Sequence, residues 1–93
     1  MILSFGDRET ELIWTGRRSR KLPSDIQDAA RRKLRILNAA DSVHDLRNPP
    51  GNRLEALRGN RAGQYSIRIN NQWRICFHWG QGGPRDVEIV DYH

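Results

Sequence analysis

The chain has 93 residues, enough for one domain spanning 1–93 and too few for separate binding and regulatory halves. With 37% hydrophobic residues and eight glycines it sits in the normal globular range of about 45–50% apolar, which excludes collagen-like, low-complexity and disordered chains. Sixteen basic against eleven acidic residues give a net charge of +5, which points to a polyanionic partner such as nucleic acid, a ribosome or an acidic protein.

Ile2-Leu3-Ser4-Phe5, followed by Gly6-Asp7, reads as a short first strand. Asp7 is placed to cap a short helix through Leu12, Ile13 and Trp14, with Gly16 as its stop. Arg17-Arg18-Ser19-Arg20-Lys21 then forms a basic connection. Ser24 and Gln27 fit a capping box behind Pro23. From there Ile26, Ala29, Ala30, Leu34 and Leu37 recur at helical spacing, with Arg31, Arg32 and Arg35 on the other face, so a helix is predicted over roughly 24–39. Ser42 to Asp45 suits one more short turn, and Asn48-Pro49-Pro50-Gly51-Asn52 breaks regular structure.

Beyond that break the period changes to two. Arg53–Arg58 is a candidate strand, and Tyr65, Ile67 and Ile69 alternate with Ser66, Arg68 and Asn70 in the next. Asn70-Asn71-Gln72 is turn chemistry. Trp73, Ile75, Phe77 and Trp79 then alternate with Arg74, Cys76 and His78 up to the Gly80–Pro84 turn, and Val87 to Tyr92 forms the last strand. The expected class is α+β: a short N-terminal strand, then two helices packed on one face of a mostly antiparallel four- to five-stranded sheet.

No stretch approaches the roughly 18 apolar residues a membrane span needs. The first residues lack the basic end and apolar core of a signal peptide. A single cysteine, Cys76, cannot build a disulfide framework, and His44 and His78 show no metal-ligand spacing. The reading is a soluble cytoplasmic protein with no metal and no cofactor. All but two of the basic residues are arginine, whose planar fork holds phosphate bidentately.

The alternation sends Trp73, Ile75, Phe77 and Trp79 toward the helices. Arg68 and Arg74 should then project from neighbouring strands onto the opposite, uncovered face, outside the apolar core, where two arginines can clamp one phosphate. Asp91-Tyr92-His93 groups three side chains able to transfer protons or hydrogen-bond.

These residues carry a likeness. The stretch Pro50-Gly51-Asn52-Arg53-Leu54-Glu55-Ala56-Leu57-Arg58-Gly59-Asn60-Arg61-Ala62-Gly63-Gln64-Tyr65-Ser66-Ile67-Arg68-Ile69, with Trp73-Arg74-Ile75 and Asp91-Tyr92-His93, resembles the HigB (plasmid maintenance killer) toxins of the RelE superfamily. The resemblance implies a RelE-like fold and the toxin of a type II toxin–antitoxin pair. It implies an endoribonuclease that cuts mRNA on the translating ribosome without metal, by attack of the ribose 2′-hydroxyl on the adjacent phosphate, and so inhibits translation. It also implies a helix-turn-helix, HigA-like antitoxin, with operator DNA reached only through the antitoxin complex.

By position, the family's catalytic terminus falls on Asp91, Tyr92 and His93, the arginine after tryptophan on Arg74, and the basic residue before the glycine turn on Arg58. Glu55 stands where some members have histidine, and it competes with the terminal residues for the role of base. Arg68 joins the set through the alternation. Arg17, Arg18, Arg20, Lys21, Arg31, Arg32 and Arg35, with Arg53 and Arg61, are assigned to RNA and ribosome contact. The alternative is a non-catalytic RNA- or ribosome-binding module whose arginines only hold backbone phosphate.

Overall fold

The structure, a computed structural model, describes residues 1–92, so His93 lies outside the described residues. Helix α1 (Arg8–Trp14) opens at Asp7, whose carboxylate accepts from the Thr10 amide at 2.7 Å. That places negative charge on the positive end of the helix. Gly16, at φ +89°, ends it. Seven residues do not hold a helix in water by themselves, so α1 depends on what it touches. Thr10 and Ile13 are fully buried, and the Thr10 hydroxyl oxygen accepts from the Ile89 amide at 2.9 Å.

Helix α2 (Ser24–Ala39) buries Ile26, Ala30, Leu34 and Leu37, the stripe set by its apolar spacing. The expected capping box at Ser24 and Gln27 does not form. Pro23 takes the cap position without a side-chain bond, and Gln27 turns inward. Its carbonyl accepts from the Ser19 amide at 3.0 Å, and its Nε2 donates to the carbonyls of Ser19 and Leu22 at 2.8 and 2.9 Å. Three buried backbone groups need those partners, whereas a helix end open to solvent can use water. The basic connection is thereby pinned at a buried Ser19.

After α2, Val43–Arg47 makes a short 3-10 turn in which Asp45 Oδ2 accepts from the Asp41 and Ser42 amides at 3.0 and 3.2 Å. The sheet follows as β1 (Glu55–Ala56), β2 (Gln64–Arg68), β3 (Trp73–Gly80) and β4 (Gly83–Asp91), antiparallel throughout in the order β1-β2-β3-β4. Ile67, Ile75, Phe77 and Val87 are fully buried toward the helices, with Trp73 and Trp79 packed at their margin.

Two expected strands shrink. Arg53–Arg58 contributes only Glu55–Ala56, because Arg53 adopts a left-handed φ of +44° and a 3-10 turn begins at Gly59. The N-terminal strand reduces to a single parallel bridge between Phe5 and Val87. A register shift in β4, with Asp86 at φ +53°, interrupts the ladder this segment would otherwise follow. The last strand, conversely, starts at Gly83 rather than Val87. Gly83 sits at φ +131°, and a Cβ there would come within 2.5 Å of the Met1 carbonyl, so glycine lets the N-terminal segment lie across the hairpin.

The sheet face away from the helices is not uncovered. Ser66, Arg74 and Cys76 are all buried on it. The chain from Arg53 to Arg61 folds back over them: the Arg53 carbonyl meets Arg74, and Arg61 Nη1 pairs with Glu88 Oε1 at 2.8 Å. Among the described residues no helix is long and apolar enough to cross a membrane.

Thr10→Val keeps the shape but strands the Ile89 amide. It is expected to lower unfolding free energy by about 1–3 kcal/mol, read from urea denaturation at unchanged m-value.

Candidate active site

Arg74 organises the site. Its guanidinium carries five donors and is enclosed, with only 7% of the residue exposed. Nε donates to Ser66 Oγ at 2.7 Å. Nη2 donates to the Ser66 carbonyl at 3.3 Å and to the Arg53 carbonyl. Nη1 lies 4.0 Å from Glu55 Oε1. Three donors are therefore spent on protein oxygens, and the two on Nη1 face the carboxylate. The Tyr92 ring closes the arrangement, its centroid 5.9 Å from the Arg74 Cζ.

The register explains the grouping. Arg68 is the cross-strand partner of Arg74, and Glu55 that of Ser66, so all four share one face. Two like charges opposite one another would repel. Arg74 sinks among its acceptors, while Arg68 swings Nη2 to the Asn71 side-chain oxygen. The turn that permits this is held by Asn70, whose Oδ1 accepts from the Gln72 and Trp73 amides at 2.8 Å each. The result is a depression of about 410 Å³ lined by Arg53, Glu55, Arg68, Asn70, Asn71, Arg74 and Tyr92. Three guanidiniums against one carboxylate give it a net positive charge complementary to an anion, with Arg74 largely shielded from water.

Five residues singled out in the sequence thus meet in one place: Arg53, Glu55, Arg68, Arg74 and Tyr92. Asp91, the neighbour of Tyr92 in sequence, does not line the depression; its Oδ2 accepts from Gln72 Nε2 at 3.1 Å. Arg58 is exposed ahead of the 59–61 turn and does not line the depression. Arg74 departs from its expected place outside the core, because Ser66 and the Arg53 carbonyl offer it partners inside the protein.

The remaining basic residues divide. Arg17, Arg20, Lys21, Arg32 and Arg35 are exposed. Arg31 instead lies against the end of α1, its Nε donating to the Ile13 carbonyl at 3.0 Å and its Nη2 to the Arg17 carbonyl at 3.2 Å. Arg18 donates to the Ser24 carbonyl at 3.0 Å and pairs with Asp28 at 3.2 Å. Arg61 is held by Glu88 and Gln64.

Ser66, Asn71 and Lys33 are not among the site residues singled out from the sequence. Ser66 was signalled by its alternation with Arg68; nothing in the spacing marks the other two. Lys33 reaches from α2 to Asn52 Oδ1 at 2.7 Å. Burial, then the like charges of Arg68 and Arg32, hold its pKa below the ordinary lysine value. Among the described residues no group of three or more His, Cys, Asp or Glu side chains is placed to hold a metal ion.

Residues 4–93 match the family model described as a RelE-like toxin of the type II toxin–antitoxin system HigB. Toxin HigB-1 of Vibrio cholerae is 48% identical over 83 residues, covering 88% of this chain and 87% of that protein. Endoribonuclease HigB of Proteus vulgaris is 28% identical over 93 residues, covering the whole of both. A YoeB/ParE toxin from Agrobacterium tumefaciens shares the fold, with a TM-score of 0.52 at 19% identity over 99% of this chain and 96% of that one.

Arg74→Ala leaves Ser66 and the Arg53 carbonyl without their donor. It is expected to cost about 1–3 kcal/mol of stability. Arg68→Ala, at a more exposed position, is expected to change stability by no more than about 0.5 kcal/mol. Urea midpoints of the two variants measured side by side check the contrast.

Proposed function

The chain belongs to the RelE-like HigB toxins of type II toxin–antitoxin systems, and from that premise we propose that it is an endoribonuclease that cuts mRNA on the ribosome. The name of the Proteus vulgaris relative supports cleavage of RNA. The observation that carries the reading is the enclosed Arg74, fixed on three sides with its Nη1 donors aimed into a pocket that also holds Arg53, Arg68 and Glu55.

In this reading the scissile phosphate lies between Arg74 and Arg68. The 2′-hydroxyl oxygen attacks phosphorus as Glu55 accepts its proton, and the 5′-oxygen leaves with a proton from the chain end, where Asp91 and His93 are the candidates. Guanidiniums take up the charge that grows on the non-bridging oxygens, with no metal required. The products are a 2′,3′-cyclic phosphate and a 5′-hydroxyl. Tyr92 stacks on a base.

Exposed Arg17, Arg20, Lys21, Arg32 and Arg35 are assigned to ribosomal RNA. Residues 1–93 act as one cytoplasmic domain. Its partner is a helix-turn-helix, HigA-like antitoxin, through which alone the toxin reaches operator DNA.

Purified protein is expected to cut ribosome-bound mRNA far faster than the same RNA free in solution, leaving 5′-hydroxyl ends mapped by primer extension and end-labelling. Equal rates on both substrates would remove the ribosome from the mechanism, and no cleavage of either would remove the enzyme. Arg74→Lys keeps the charge but not the fork, and is expected to slow cleavage about 10²–10³-fold.

A further inference from the structure

The carbonyl that holds Arg74 belongs to a segment with little to steady it. Residues 48–53 include two prolines and a glycine, and every one of them except Asn52 is exposed. Asn52 is fully enclosed. Its Nδ2 donates to the carbonyls of Leu46 and Asn48, both at 3.2 Å, and its amide donates to the Pro49 carbonyl at 3.0 Å. Its remaining acceptor, Oδ1, takes the Lys33 ammonium from α2 at 2.7 Å. The next residue, Arg53, adopts the left-handed conformation that turns its carbonyl onto Arg74 Nη2. A continuous line of contacts thus joins the middle of α2 to the arginine of the pocket.

We propose that Lys33 is a positioning residue for Arg74: its ammonium fixes Asn52, Asn52 fixes the turn at Arg53, and the Arg53 carbonyl aims the guanidinium. A plain staple between helix and loop needs no charge at this place, where burial, then Arg68 and Arg32, make a cation costly. A charged donor makes a shorter, stiffer bond to an amide oxygen than a neutral one does. The consequence for rate rests on reading the pocket as the cleavage site; the effect on Arg74 itself does not.

The test is Lys33→Met, which keeps the methylene stem and the helix. In the wild type the Arg74 Nε proton, bonded to Ser66 Oγ, is expected to exchange slowly in ¹⁵N NMR spectra. In Lys33→Met it is expected to exchange several-fold faster, with kcat on ribosome-bound mRNA down about 10- to 100-fold and KM little changed. Lys33→Arg, which restores a cationic donor, is expected to recover most of both. A folded Lys33→Met protein with wild-type exchange at Arg74 and wild-type kcat overturns the proposal.

If Lys33→Met fails to fold, Lys33→Gln takes its place. It offers a neutral donor in place of the ammonium at Asn52 Oδ1, so wild-type exchange at Arg74 there overturns the proposal equally. If the wild-type protein cuts no RNA, the cleavage reading falls, and the exchange measurement alone decides the role of Lys33.

Discussion

A guanidinium shut away from water must find its hydrogen-bond partners within the protein, and much of this molecule is arranged around that requirement at Arg74. Ser66 supplies a hydroxyl and a carbonyl from β2, Arg53 a carbonyl from the loop, Glu55 a carboxylate from β1, and Tyr92 a ring beyond β4. Remove the arginine and these parts lose their reason to converge. The same enclosure fixes the direction of the two donors left over, and a fixed donor needs no reorganisation when charge appears in front of it. In the proposed reading, stability and chemistry therefore draw on one side chain.

Legibility in the sequence followed period and spacing. Alternation from Tyr65 to Trp79 was enough to put Ile67, Ile75 and Phe77 in the core and to set Arg68 beside Arg74 across two strands. Asp7 and Gly16 marked both ends of α1 as their chemistry dictates. Local signals failed where tertiary partners outweighed them. Gln27 matched a capping box by spacing yet serves Ser19 and Leu22, and Arg53 matched a strand by composition yet turns left-handed to reach Arg74. The burial of Arg74 was illegible because no pattern along one strand reveals an acceptor waiting on a loop 21 residues away.

Charge is the property most easily misread from composition. Fourteen arginines suggest a broad basic coat. In the folded chain Arg31 closes the end of α1, Arg61 covers the rear of the sheet with Glu88, and Arg18 joins the basic connection to α2. These three act as crosslinks whose geometry is already committed. What is left for a polyanion is the pocket trio, the exposed residues at the 17–21 connection and the outer side of α2, and the exposed Arg8, Arg47, Arg58 and Arg85.

Cys76, the one thiol of the chain, sits fully buried between β2 and β4, across from Ser66 and Glu88 and beneath the returning 53–61 segment. Burial, more than any neighbouring charge, keeps that thiol protonated and pushes its pKa up. In the folded chain that thiol is therefore both protonated and shielded from solvent.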